Sequence, residues 1–154
     1  KLNKAQQFEQ DRFSIAYVGT MGTGYPYETV KQALVHLNER SVQMDFILAG
    51  KIDPIVLKNL KEAENDHLRI IHKGHITHDE ALGLMKGSNV LLLCLPFNTL
   101  SAIFVSGKLL EYIASGTPIA AVVAVRVEEL GADVAAGARR ALERMLAVGR
   151  RETV

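Results

Sequence analysis

The chain has 154 residues, 48% of them hydrophobic and 23% charged, with a formal net charge of +1. That balance suits a single globular domain with a real core and gives no electrostatic case for nucleic acid or an anionic membrane surface as a partner. No apolar run reaches membrane-spanning length, and the lone cysteine, Cys94, sits inside the apolar run Val90 to Leu95, so no disulfide can close within the chain. A reducing, cytoplasmic setting is expected, with attachment to a membrane surface left open for a longer protein.

Residues 1–12 form a polar lead-in without the apolar stretch of a signal peptide. The hydrophobic period begins at Phe13. Phe13 to Val18 is a short apolar run that reads as a strand, and Tyr27 to Arg40 carries Val30, Ala33, Leu34 and Leu37 at helical spacing. Between them lies Gly19-Thr20-Met21-Gly22-Thr23-Gly24-Tyr25-Pro26. Three glycines ahead of a helix let backbone amides approach a phosphate, and the helix N-terminus adds partial positive charge. The stretch lacks the lysine of a P-loop and the spacing of a dinucleotide fingerprint, so a turn without a ligand competes with this reading.

Met44 to Ala49 reads as a second strand closed by Gly50, and Asp53 followed by Pro54 predicts a capped helix to about Glu64. Leu68 to His72 is the third strand. The loop expected after it holds His72, Gly74, His75 and His78; convergence of three imidazoles on a metal is not expected, because the spacing crosses a strand end, a glycine and a helix cap. Thr77-His78-Asp79-Glu80 has the form of a capping box, opening a helix to about Lys86 that Gly87 ends. Asn89 to Leu95 is nearly continuous apolar sequence, as in strands buried on both faces, and should be central. Pro96 to Phe104 carries little charge. It either offers amides and hydroxyls, such as those of Ser101 and Ser106, or packs Leu100, Ile103 and Phe104 on a partner domain.

The stretch from Ser106 to Pro118 reads as a short helix entered through Gly107 and stopped by Gly116 and Pro118, with Ile119 to Val123 as a fifth strand. Helical periodicity places Lys108, Glu111 and Ser115 on one face and Leu109, Leu110, Ile113 and Ala114 on the other, so the second face is expected to be packed. A carboxylate such as Glu111 can accept two hydrogen bonds from neighbouring ribose hydroxyls, and Lys108 offers a positive charge to a phosphate. The competing reading of the same spacing is an exposed ion pair of a few tenths of a kcal/mol.

Five strands alternating with four helices predict an α/β domain with a doubly wound, Rossmann-like parallel sheet and right-handed crossovers. The crevice of such a sheet lies at the carboxyl ends of the strands where the winding reverses, so the loops after Val18, Gly50, Gly74 and Leu95 are the ones that matter.

The run Ser106-Gly107-Lys108-Leu109-Leu110-Glu111-Tyr112-Ile113-Ala114-Ser115-Gly116-Thr117-Pro118-Ile119 resembles a segment of the GT-B glycosyltransferases of the family 4 (group 1) type. That segment, roughly P-S/G-K-x-x-E-Y-x-A-x-G-x-P-I, lies in their C-terminal, nucleotide-sugar-binding domain. The resemblance implies that Glu111 holds the donor ribose and Lys108 lies near the donor phosphates, with Ser106 and Gly107 beside them. It places the loop of Gly19, Thr20, Gly22 and Gly24 near the diphosphate, although the arginine and lysine that many members carry there do not occur between Gly19 and Val30. Lys73 to Glu80 is similar to the family's G-x-I/V-S/T-x-x-E pattern, which makes Gly74, His75 and Ile76 contacts of the nucleotide base. Many members carry a glutamate eight residues before Glu111; here that position is Ile103, and the catalytic residues stay unassigned.

What the resemblance implies is transfer of a sugar from a nucleotide diphosphate to an acceptor hydroxyl. No metal or other cofactor is required, and the partner is an N-terminal acceptor-binding domain that this chain lacks. The alternatives are a non-catalytic nucleotide-binding module and a pure interaction domain. The likeness covers Phe13 to Val122. Through Ala121 there are nine lysines and three arginines, and from Val122 onward six arginines and no lysine. Residues 123–154 are thus a segment of atypical composition in which Glu128 to Val148 reads as an amphipathic helix; a junction, a shifted reading frame and divergence all fit the break.

Overall fold

The computed structural model describes residues 12–96 and 107–123. The chain divides into two compact units, residues 1–123 and 124–154, and everything described lies in the first. The sequence readings for Ser101, Ile103, Ser106 and the helix at 128–148 fall outside the described residues.

Strands β1 (Phe13–Val18), β2 (Met44–Ala49), β3 (Leu68–Gly74), β4 (Val90–Leu95) and β5 (Ile119–Val123) alternate with helices α1 (Tyr27–Asn38), α2 (Pro54–Lys61), α3 (His78–Gly87) and α4 (Gly107–Ser115). All strands are parallel, in the order β3-β2-β1-β4-β5. The expected doubly wound α/β architecture is therefore present, and the winding reverses between β1 and β4. Helices α1 and α2 pack on each other, as do α3 and α4. Ala16, Ile47, Ala49, Leu91 and Leu93 share one core with Ala81, Leu84 and Met85 of α3 and Tyr112 of α4. The alternate strand residues Ile15, Tyr17, Phe46 and Leu48 are equally buried and, by the pleat, line the other face of the sheet.

Local chemistry fixes where the elements start. The Asp53 side chain accepts from the Ile55 amide at 2.8 Å, with Pro54 at the first helical position of α2. Thr77 and Glu80 form the reciprocal capping box that opens α3. The start of the sheet is tied by Asp45, a buried carboxylate between the guanidinium groups of Arg12 and Arg69, each at 2.7 Å. Burial works to raise the Asp45 pKa, but the hydrogen bonds from Arg69 and Arg12 hold it below its ordinary value. Arg12 also donates to the Met44 and His67 carbonyls, joining β2 to the entry of β3.

Several boundaries differ from the sequence reading. Helix α1 stops at Asn38 and α2 at Lys61, each one turn or less short of the expected end. Strand β3 continues through Gly74, two residues past the expected end at His72, so Gly74 belongs to the strand and not to the loop after it. The register shifts there: Leu48 pairs with His72 and Ala49 with Gly74, which leaves Lys73 as the extra residue on β3.

The carboxyl ends of β1, β2 and β3 finish in left-handed glycines: Gly19 at φ 139°, Gly50 at 115° and Gly74 at 65°. The Gly19 amide donates to Ala49 O at 2.8 Å and the Gly50 amide to Gly74 O at 2.7 Å. A Cβ at Gly50 would overlap the Gly19 carbonyl, so side-chain-bearing residues are excluded there by contact as well as by conformation. Gly50→Ala should cost at least about 1–3 kcal/mol. Gly83→Ala, inside α3 with open space around its Cα, should gain about 0.5–1 kcal/mol. Urea unfolding of both variants checks the pair, and equal effects would contradict it.

Candidate functional site

The β1–β4 ladder is short. Ile15 pairs with Val90 and Ala16 with Leu91, whereas β4 pairs with β5 as far as Leu95. Beyond Ala16 the two central strands part, at the place where the winding reverses. The Val18 amide has no strand partner on this side and donates instead to the Tyr112 hydroxyl at 2.9 Å. Tyr112 is fully buried, and burial pushes its phenol up to about 12. Helix α4 is thus pinned to the end of β1 through the middle of its own length.

This pinning sets which side of α4 is packed, and it is not the side that the apolar pattern predicts. Tyr112, Leu109 and Ser115 face the protein, while Leu110 at 60% and Ile113 at 61% exposure, with Ala114, face outward. Ser115 closes the helix by donating to Tyr112 O at 2.7 Å and accepting from the Thr117 amide at 3.2 Å.

One turn before Tyr112, Lys108 follows the packed side inward. Its Nζ donates to the Tyr17 hydroxyl at 2.9 Å and lies 4.2 Å from the centre of the Tyr17 ring, a cation–π contact. The lysine tail passes over Gly19 so closely that a Cβ there would overlap Nζ and Cε. Burial pushes the Lys108 pKa down to about 8, against smaller opposing contributions from Cys94 and Glu111. Burial also pushes Cys94 up to about 12 and Tyr17 well above the ordinary phenol range. Glu111 is exposed, and no ion pair joins it to Lys108 among the described residues. The surface-pair reading of these two residues is therefore replaced by a half-buried amine and an exposed carboxylate.

The remaining sequence-predicted residues fall along the same carboxyl edge. Gly74, Gly50, Gly19 and Lys108 follow one another across it, linked by the Gly50–Gly74 hydrogen bond and by the two close approaches at Gly19. His75 is exposed beside Gly74, whereas Ile76 packs into the core shared with α3. Gly107 is exposed at the start of α4. In the glycine loop, the amides of Gly19 and Met21 continue the sheet ladder to Ala49 O and Lys51 O, and the Tyr25 amide closes a turn on Gly22 O at 3.0 Å. The amides of Thr20, Gly22, Thr23 and Gly24 make no backbone hydrogen bond among the described residues, and Gly22 and Gly24 have open space at their Cα. Tyr17 and Tyr112 were not singled out from the sequence. Their signal was a tyrosine at an apolar strand position and another four residues after a helical lysine, each needing a partner for its hydroxyl once buried.

Among solved structures, the chain is similar to the C-terminal domain of a glycosyl transferase group 1 family protein (LpcC) from Francisella tularensis. The TM-score is 0.52 at 18% sequence identity, and the match covers 71% of this chain and 57% of that one. The likeness is one of fold. No protein-family model and no curated protein sequence matches the chain. Among the described residues, no helix is long and apolar enough to cross a membrane, and no group of three metal-ligating side chains is gathered.

The lysine gives a pH signature. Below about pH 8 Lys108 is protonated in both the folded and unfolded chains, and its burial opposes folding; from there to the ordinary lysine value of 10.5 the unfolded chain holds more protons, so stability rises with pH. Lys108→Met should therefore be more stable than the parent at about pH 7, with the difference shrinking toward about pH 10. Urea unfolding at both pH values checks this, and a constant difference would contradict it.

Proposed function

We propose that this domain binds the nucleotide-sugar donor of a glycosyltransferase of the group 1 type. The observation that carries the reading is the pairing of chemistry on α4 at the switch point. Lys108 is held over Gly19 at the mouth of the parted strands, and Glu111, one turn on, has an exposed carboxylate that no ion pair engages among the described residues. A diphosphate placed over the glycine edge would meet the lysine charge and the open amides of the Thr20–Gly24 loop. The adjoining ribose would offer two hydroxyls to Glu111. His75, Gly74 and Ile76 then border the base. The likeness of fold to a group 1 glycosyl transferase domain supports the same assignment.

In this reading the reaction is transfer of the sugar to an acceptor hydroxyl, with the Lys108 cation and loop amides offsetting the charge of the leaving diphosphate. The chain spans 57% of the length of the similar domain structure. The acceptor site and the catalytic base belong to an N-terminal partner domain, so this chain by itself should bind donor weakly and turn over little. The outward-facing Leu110 and Ile113 favour a second reading, an interaction module that uses the same helix without a nucleotide.

A titration with UDP, GDP and ADP, followed by thermal shift and calorimetry, separates the two. One nucleotide should raise the melting temperature in a concentration-dependent way, equivalent to about 2.7 kcal/mol at a hundredfold excess over Kd. Glu111→Ala, which removes an exposed side chain, should keep the fold and lower that affinity by at least about tenfold. A folded chain that binds none of the three would favour the interaction module.

A further inference from the structure

Lysine side chains at a protein surface sample many rotamers, and ordering one costs about 1.5–2 kcal/mol. Lys108 is held at two points by a single residue, its Nζ against both the hydroxyl and the ring face of Tyr17. Tyr17 is itself fully buried, so its position is set by the sheet and not by the lysine. The Tyr17 hydroxyl has one proton, which it donates to the Thr20 carbonyl at 2.5 Å. Its lone pairs are what face Lys108. The contact thus accepts from an ammonium and has no proton to give to a neutral amine.

We propose that Tyr17 is a positioning residue of the donor site: its hydroxyl and ring hold the Lys108 ammonium over Gly19, and the same hydroxyl fixes the Thr20 carbonyl and with it the turn into the glycine loop. The proposal rests on the donor-site reading for its purpose, but the coupling between the two side chains stands on its own geometry. One hydroxyl sets both the cation and the first turn of the loop that would meet the phosphates. The titratable groups around the amine are Tyr17 on β1, Cys94 on β4 and Glu111 and Tyr112 on α4, with Tyr25 of the loop acting on Tyr17. Of these, burial pushes Tyr17, Cys94 and Tyr112 upward, away from the range in which Lys108 titrates.

Tyr17→Phe keeps the ring and removes the hydroxyl's hydrogen bonds to Lys108 and Thr20, together with that to Tyr25. The apparent pKa of Lys108, read from the pH dependence of its labelling by acetic anhydride and located by peptide mass spectrometry, should move away from the parent value of about 8. A fall would mean an ammonium left in place without its acceptor, and a rise toward the ordinary value would mean a side chain released to water; an unchanged pKa would overturn the proposal. Affinity for the nucleotide bound best by the parent should fall about five- to tenfold. The loss from Tyr17→Phe should be smaller in the Lys108→Ala background than in the parent, the remainder being the share carried by the Thr20 turn, and fully additive losses would overturn a role through Lys108.

If the parent binds no nucleotide, the donor-site reading fails while the labelling result still decides whether Tyr17 holds the lysine. A measurement on the parent covers the case of a variant that does not fold. The Tyr17 ring resonance should shift with the same midpoint as the amine, and a ring signal that stays constant through that titration would overturn the coupling.

Discussion

A single unpartnered amide organises the centre of this domain. Where β1 and β4 part, the Val18 amide would be left buried without an acceptor, a loss of about 1–3 kcal/mol, and the Tyr112 hydroxyl supplies that acceptor at 2.9 Å. The strands can then separate at the reversal of the winding without orphaning the Val18 donor. A phenol is suited to the task, because its ring packs in the core while its oxygen reaches the backbone. Because the anchor lies within α4, the helix has no freedom to roll, and Lys108 and Glu111 inherit fixed places on either side of the anchored stripe. The site geometry is in this sense a consequence of one backbone hydrogen-bonding requirement.

The second constraint is steric. The carboxyl edge is built from left-handed glycines on three adjacent strands, and two of these are closed to a side chain by what lies against them, the Gly19 carbonyl at Gly50 and the Lys108 tail at Gly19. Backbone, then backbone, then amine are stacked along the edge with no Cβ between them. The edge therefore presents polar main-chain groups and the Lys108 ammonium, in the crevice position where parallel sheets of this winding take their ligands. The same closeness removes some amides from service. Those of Gly19 and Met21 prolong the sheet, so a glycine-rich loop that reads as a phosphate cradle offers its later amides only.

Most of the fold was legible in the sequence, because its signals are local. Apolar runs bounded by glycines marked the strands, and Asp53-Pro54 and Thr77-Glu80 marked helix starts whose side-chain bonds are formed as expected. Helix ends were read less well, since α1 and α2 end without the glycine or proline that stops α4. The larger error concerned the packed face of α4. The apolar pattern placed Leu110 and Ile113 inside, yet both face outward. A hydrophobic count weighs each residue by transfer energy and has no means of anticipating that a strand will lack an acceptor for one amide. Tyr112 and the stem of Lys108 occupy the interior because of that need. The position of Lys108 against Tyr17 was invisible for the same reason: it depends on residues 91 apart in sequence meeting across a gap in the sheet.

The arrangement of charge on α4 argues for a ligand more strongly than the spacing did. Two opposite charges three residues apart on a helix ordinarily lie on neighbouring surface positions and gain a few tenths of a kcal/mol from pairing. Here the amine is drawn inward at a cost visible in its depressed pKa, and the carboxylate stays exposed, with no ion pair to the amine among the described residues. The charge of Glu111 offsets only part of that cost, and burying the amine weakens the fold at neutral pH. A stability role for the pair would have the opposite geometry. A ligand carrying an anionic group and a vicinal diol would offset the burial cost by placing negative charge beside Lys108, and would bring two donors to Glu111. A nucleoside diphosphate carries both features.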